Sequence, residues 1–182
     1  MGENGMGEQV VLLNDDGQRV GAADKYAIHG PDTPLHLAFS CYLSDEAGRL
    51  LMTRRALSKI TWPGVWSNAF CGHPGPDEDV VDAVHRRAKD ELGLEVTDIR
   101  PLLPDFRYRA VDASGVVENE ICPVFSARTS GSPAPAADEV AEFAWADWDD
   151  LVATVRSAPW ALSPWSVEQV TALVEAGWRP GA

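Results

Sequence analysis

From Ser67 to Gly93 the chain strings together a short apolar stretch, a Gly-Pro-Asp turn and an amphipathic segment that closes on Asp90-Glu91-Leu92-Gly93. Cys71 and His73 stand just before the turn, and in a strand residues at i and i+2 share a face. Asp77 is the expected N-cap of the helix that follows, with Glu78 and Asp79 in a first turn favoured by the helix dipole. Val80, Val81, Val84, Ala88 and Leu92 recur at helical spacing, and Gly93 supplies the stop. Arg87 and Glu91, four apart, fall on one side of that helix. A thiol, an imidazole and a helix-borne carboxylate therefore converge, and the rest of the chain has to build a pocket around them.

The flanking sequence supplies strands before and after this unit. Val10 to Leu13 stops at Asn14-Asp15-Asp16-Gly17 and resumes at Arg19, the pattern of an edge hairpin. The polar stretch Asp24 to Thr33, broken at Gly30-Pro31, reads as loop. Leu35 to Leu43 alternates with period two, placing Leu35, Leu37, Phe39 and Cys41 on one face and His36, Ala38, Ser40 and Tyr42 on the other. Arg49 to Arg55 is its hairpin partner across the turn at Asp45 to Gly48. After a proline-glycine loop at Thr61 to Trp66 and the central helix come an exposed strand at Phe106 to Val111 and a strand over Val116 to Ala127. The latter sets Glu118, Glu120 and Cys122 on one face. Ser130 to Ala137 is a loop, Phe143 to Trp145 a short strand, and Asp147 and Ser163-Pro164 open two terminal helices. Strands, one central helix, more strands and then helices indicate an α+β fold, a mixed β-sheet sandwiched by helices. With 182 residues, the chain suits one domain over 1–182 with its own core, residues 1–8 being flexible.

Composition narrows the chemistry. With 28 acidic against 15 basic side chains and a net charge of −13, general binding to nucleic acid or an anionic membrane is disfavoured. An anionic ligand has to be met by local cations, and Lys25, Arg54, Arg55, Lys59, Arg86 and Arg87 gather in the segments around Cys71. The plain alternative is a solvated charged face. Three cysteines without framework spacing fit a reducing, cytoplasmic setting, and no apolar run approaches the roughly 18 residues of a spanning helix.

His29, His36, His73, Glu118 and Glu120 form a set suited by ligand type to Zn, Mn, Fe or Mg. Isolated histidines on strands are commonly just satisfied side chains. Two carboxylates on one face of a strand, however, repel unless a cation or a raised pKa relieves them. Cys71 is either a small buried hydrophobe or a catalyst, and its place on the face of His73 favours the second. Cys41 and Cys122 carry only the first reading.

Gly72, five residues, Glu78, seven residues, then Arg86-Arg87-Ala88-Lys89-Asp90-Glu91-Leu92-Gly93-Leu94 keeps the spacing of the Nudix box, Gly-x5-Glu-x7-Arg-Glu-apolar-x-Glu-Glu-x-Gly-apolar. Two positions depart from it. Arg87 stands where a Nudix hydrolase has a metal-binding Glu, and Asp90 replaces the first of the paired acids. An arginine there suits gripping a diphosphate rather than cleaving it.

In seven separated blocks the chain resembles the type I isopentenyl-diphosphate delta-isomerases, which have a Nudix-like fold. The blocks are Lys25 through Ser40, Arg54 to Lys59, Trp62 to Trp66, Cys71 to Pro74, Phe106 to Ala110, Glu118 to Glu120, and Ser163 to Trp165. The resemblance implies interconversion of isopentenyl and dimethylallyl diphosphate by protonation and deprotonation. It implies Cys71 and Glu120 as acid/base groups on opposite faces of the substrate, with Tyr108 near the proton delivery. A divalent metal (Mn, Zn or Mg) would sit on His29, His36, His73, Glu118 and Glu120, and Glu91 would help a Mg that accompanies the substrate diphosphate. Lys25, Arg55, Lys59 and Arg87 would bind the diphosphate, with Trp165 over the hydrocarbon. Trp66 is either a second aromatic face for the cation or a core residue. Loops Lys25 to Pro31 and Thr61 to Trp66 would be lids. The implied partner is this small molecule alone, with no nucleic acid and no membrane, and the chain a monomer or weak dimer. Competing readings are a Nudix diphosphohydrolase and a metal-dependent regulatory module.

Overall fold

The computed structural model describes residues 8–181, so the flexibility expected of residues 1–7 lies outside the described residues. Glu8, grouped with them in the sequence reading, is held by an ion pair to Lys25. The elements run β1 (Gln9–Leu13), β2 (Arg19–Asp24), α1 (Lys25–Ile28), β3 (His36–Leu37), β4 (Phe39–Ser44), β5 (Leu50–Arg55), β6 (Trp66–Ser67), β7 (Phe70–Gly72) and α2 (Val80–Leu92). After them come β8 (Thr97–Leu103), β9 (Arg107–Val111), β10 (Val117–Ile121), β11 (Val124–Arg128), β12 (Val140–Ala146), α3 (Trp148–Ser157) and α4 (Pro164–Glu175). They form the expected α+β architecture, with the sheet divided in two. One sheet has the order β2-β1-β3-β10-β9, and the other β12-β5-β4-β11-β8 with β6 on β5 and β7 on β4.

The division corrects two sequence expectations. Leu35 to Leu43 is not one strand: β3 lies in the first sheet and β4 in the second. Val116 to Ala127 likewise splits into β10 and β11. Pro123 has no N–H to continue a ladder, and Ala38 sits opposite the break, donating to Ile121 O while Ser40 donates to Pro123 O. The two parallel pairs, β3 with β10 and β4 with β11, thus leave one sheet and enter the other side by side. His36, Glu118 and Glu120 come just before the crossing and Ser40 just after it.

The second sheet makes room for the segment that carries Cys71. The hairpin of β4 and β5 is paired only at Ser44 and Leu50, then opens. Into the gap go β6 on β5 (Thr53 opposite Ser67) and β7 on β4 (Ser40 opposite Cys71). Thr53 Oγ1 bonds the carbonyls of Asn68 and Ala69 at 3.0 and 3.1 Å, satisfying backbone acceptors that the bend would leave orphaned. Alternation along β4 sends Phe39, Cys41 and Leu43 against α2 and Tyr42 against α3 and α4, so both faces are buried. Leu35 and Leu37 join Val11, Leu13 and Ile121 in a separate cluster, because their strand belongs to the other sheet.

Within α2 the cap is Asp79, whose side chain accepts from Val81 N, and not Asp77. The carboxylate of Glu78 is already committed to Gly75 N and Arg86, and the helix starts two residues later than expected. Gly93 ends the helix in the left-handed region at φ 64, where glycine has no Cβ penalty. The loop 130–137 returns to that end and donates Ala134 N to Leu92 O and Ala136 N to Glu91 O. Val81 is exposed, and Ala83, Arg87 and Glu91 take buried places on the helix. Asp24 to Thr33 contains one helical turn rather than pure loop, because Asp24 caps it through Tyr26 N and Ala27 N. Among the described residues no helix is long and apolar enough to cross a membrane.

Candidate active site

A cavity of about 290 Å³ opens where the two sheets part. Its walls include Lys25, His29, Arg55, Lys59, Cys71, His73, Arg87, Glu91, Tyr108, Glu118, Glu120 and Trp165. Of the catalytic, metal-binding and substrate-binding side chains that the resemblance implies, only His36 is absent from that wall; it lies fully buried.

Strand register explains the cluster of imidazoles and carboxylates. Glu120 on β10 has His36 as its parallel neighbour and Tyr108 of β9 as its antiparallel one, and Glu118 shares its face two residues earlier. Glu118 Oε2 lies 3.2 Å from His29 Nε2, and Glu120 Oε1 lies 3.4 Å from His36 Nε2 and 3.2 Å from His73 Nε2. The imidazole centroids are 5.3, 6.1 and 5.2 Å apart. His29 and His36 each use Nδ1 on a backbone carbonyl, Lys25 O at 2.6 Å and Pro34 O at 2.9 Å. Such a partner fixes the tautomer and leaves Nε2 with a lone pair.

The electrostatics agree with that placement. Burial alone would raise Glu120, but His36 and His73 outweigh it and hold the carboxyl well below its usual range. Burial would lower His29 and His36; Glu118 and Glu120 beside them raise both instead. His73 does not share that gain, since its burial holds it down despite Glu120. His36 Nε2 and His73 Nδ1 are buried without a hydrogen-bond partner. Buried orphans among three imidazoles and two carboxylates, with ligand atoms within 4.8 Å of one another in each of two overlapping groups, His29-His36-His73 and His36-Glu118-Glu120, fit a divalent cation.

Cations line the opposite part of the cavity, and each is engaged. Lys25 pairs with Glu8 at 2.8 Å, and Lys59 pairs with Glu139. Arg87 gives Glu91 Oε1 two N–H bonds at 3.0 and 2.5 Å and reaches Glu139 at 3.2 Å. Burial raises the Glu91 carboxyl although Arg87 pulls it down. Because a guanidinium keeps its proton, the two-bond geometry is an ion pair. Arg55 donates to Thr61 O and Oγ1, lies 5.5 Å over the Trp165 ring, and so carries its charge across the aromatic wall. Arg54 and Arg86, grouped with these in the sequence, lie elsewhere: Arg54 turns to Glu142, and Arg86 to Glu78 and His73 O. Trp66 packs among the residues of α3 and α4, not on the cavity.

Burial pushes the Cys71 thiol up to about 11 although Ser40 and Asn68 hydrogen-bond to it, so it is protonated at neutral pH. Tyr108 lies 5.7 Å from Trp165 between ring centroids, and burial with Glu120 and Glu118 nearby keeps its hydroxyl protonated. Sequence reasoning missed Asn68, Glu8, Glu139 and Thr61. Asn68 carries a signal, an amide between two short strands and three residues before the cysteine. Glu139 and Glu8 carry none, because only the fold brings them to Lys59 and Lys25.

A NUDIX domain model matches residues 34–166. The isopentenyl-diphosphate Delta-isomerase of Agromyces mediolanus is 60% identical over 166 residues, covering 91% of this chain and 81% of that protein. The one from Kocuria rhizophila is 58% identical over 170 residues, covering 93% and 94%. Among solved structures, a Deinococcus radiodurans protein superposes with a TM-score of 0.70 at 19% identity, over 91% of this chain and 98% of that one. The MutT protein from Methanosarcina mazei gives 0.63 at 17% identity, over 80% and 97%; both likenesses bear on the fold alone. The strand-turn-helix segment, the departure at Arg87 and the matches along most of the chain agree: it belongs to the isopentenyl-diphosphate Delta-isomerases of the NUDIX family.

Proposed function

We propose that Cys71 and Glu120 carry out the interconversion of isopentenyl and dimethylallyl diphosphate in isoprenoid biosynthesis, the activity that family membership assigns to this chain. One group adds a proton to the terminal carbon of the double bond. The resulting tertiary cation then loses a proton from the neighbouring methylene to the other group, so the double bond moves and the diphosphate is untouched. The observation that carries this reading is that a thiol and a carboxylate share one cavity with Trp165 and with four cations, Lys25, Arg55, Lys59 and Arg87. Cations suit the diphosphate. The Trp165 face suits the carbocation, a contact of about 2 kcal/mol when desolvated. Tyr108, protonated and the cross-strand neighbour of Glu120, is the hydrogen-bond donor on that side.

His29, His36, His73, Glu118 and Glu120 would hold a divalent cation, Mn, Zn or Mg, which supplies the positive charge that lets both carboxylates remain ionised on one strand face. Glu91 commits Oε1 to Arg87, so its share in holding a Mg with the diphosphate rests on Oε2. The segments Lys25 to Pro31 and Thr61 to Trp66 act as lids that exclude water, which would trap the cation as an alcohol. One catalytic domain, a monomer or weak dimer in the cytoplasm, accords with three free cysteines and with strand pairing of the N-terminal hairpin onto β3.

Incubation with isopentenyl diphosphate and Mg in heavy water is expected to give a deuterated allylic diphosphate. Release of phosphate without allylic product would instead favour a hydrolase. Cys71→Ala and Glu120→Gln should each lower kcat by about three orders of magnitude or more with the fold intact by circular dichroism, and near-normal turnover in either refutes that residue's role.

A further inference from the structure

Behind the cavity wall a buried polar chain runs from α4 to the Cys71 sulfur. Tyr42 OH donates to Gln169 Oε1 at 3.2 Å, and Gln169 Nε2 donates to Ser40 Oγ at 2.9 Å. Ser40 Oγ lies 3.3 Å from Cys71 Sγ and 3.4 Å from Cys122 Sγ. Tyr42, Ser40 and Gln169 are all buried and none lines the cavity. A hydroxyl has one proton and two lone pairs. Gln169 Nε2 fills one lone pair, while Gln169 Oε1 accepts the Tyr42 hydroxyl proton. In the contacts with Cys122 Sγ and Cys71 Sγ either atom can be the donor. Once Cys71 Sγ carries negative charge it can only accept, and the Ser40 proton is then the donor that turns to it.

Asn68 also touches the sulfur, which lies 3.5 Å from its Oδ1 and can donate there while protonated, and the orientation of this amide is fixed by partners with only one role. Its Nδ2 serves the carbonyls of Cys41 and Phe70 at 3.1 and 2.8 Å, with Cys71 Sγ at 3.4 Å. Its Oδ1 accepts from Trp165 Nε1, a donor only, at 3.1 Å. The aromatic wall and the thiol are thereby tied to one amide, and α4 supplies Trp165, Ser166 and Gln169 to the arrangement.

We propose that Gln169 is a positioning residue for Cys71: it makes the Ser40 hydroxyl a hydrogen-bond donor to the sulfur, so that negative charge appearing there during proton transfer meets a preset donor. This rests on Cys71 being an acid/base group.

The test is a double-mutant cycle on the metal-loaded full chain, reading kcat and KM with isopentenyl diphosphate. Ser40→Ala is expected to lower kcat about tenfold, the effect of losing a hydrogen bond to a charged group, with KM within about twofold. Gln169→Leu should lower kcat in the native background but change it by less than about twofold when Ser40 is already alanine. Tyr42→Phe deletes one oxygen remote from the cavity and should show the same dependence on Ser40, which keeps the question answerable if Gln169→Leu fails to fold. Equal fold-losses in both backgrounds, or no loss from either variant, would overturn the proposal. So would loss of bound metal in these variants, since the effect would then run through the imidazole cluster. Cys71→Ala with near-normal turnover removes the acid/base reading and this proposal together. An inactive Cys71→Ala with independent losses overturns the proposal alone.

Discussion

Arg87 changes the meaning of the segment it sits in. A carboxylate at that helix position would face Glu91 and Glu139; the guanidinium bridges both, and it is almost fully buried. Removing one partner of a buried ion pair leaves uncompensated charge. Arg87→Leu should therefore destabilise the fold by about 3–5 kcal/mol in urea denaturation and raise KM. A variant of native stability would show that Glu91 and Glu139 are relieved some other way. Gly72 belongs to the same contact. A Cβ there would lie 2.6 Å from Arg87 Cγ and 3.0 Å from the Phe39 ring, so Gly72→Ala must displace the guanidinium stem or the core. An expected loss of about 1–3 kcal/mol, with weakened diphosphate binding by calorimetry, distinguishes this crowding from a backbone requirement. Both residues were conspicuous in the sequence, Gly72 as the head of the spacing and Arg87 as its departure, while the carboxylate that completes the grip, Glu139, was not.

At the scale of elements, the turn between β7 and α2 is held by the pair of Arg86 with Glu78, which together with Gly75 N fixes the helix start. Arg86 holds the Glu78 carboxyl below its usual 4.5. A carboxyl depressed in the folded state contributes stability above its unfolded pKa and loses it as pH falls through the folded value. Arg86→Met should be less stable than the native protein at pH 7 by about 1 kcal/mol or less, the pair being partly exposed. That gap should close as the pH drops below 4.5. A gap that stays constant in denaturation series at both pH values would assign the loss to the bond from Arg86 to His73 O. The sequence placed this helix and its C-terminal glycine, and missed the cap by two residues because Glu78 is engaged by a partner eight residues away.

For the whole molecule, the cluster of His29, His36, His73, Glu118 and Glu120 draws on the turn after α1, on β3 and β10 of one sheet, and on the end of β7 in the other. A cation there would clasp the two sheets where they part. Chelation is expected to lower the thermal midpoint and to speed amide exchange in β3, β7 and β10 while leaving α3 and α4 unchanged. His73→Ala should lower bound metal by elemental analysis. Unchanged protection on chelation would make the cluster a set of satisfied side chains.

The order of residues along the chain encodes local structure. Hydrophobic period, turn residues and caps specify the hairpins, α2, α3 and α4, and the spacing around Gly72, Glu78 and Gly93 identifies the segment that bears the thiol. These follow from interactions within a few residues of one another, which composition and order encode directly. Where strands change sheets and which charges meet is settled by packing between distant segments. Alternation continues unbroken through Ala38 and Cys122, and although Pro123 interrupts a ladder, nothing local says that the strands beyond it join a second sheet, the crossing that brings His36, Glu120 and Ser40 together. Glu8 reaching Lys25, Glu139 reaching Lys59 and Arg87, and Gln169 reaching Ser40 are long-range pairings between residues that are unremarkable in the chain. Each acquires its chemistry from the neighbour that the sheet crossing and the packing of α2 and α4 put beside it.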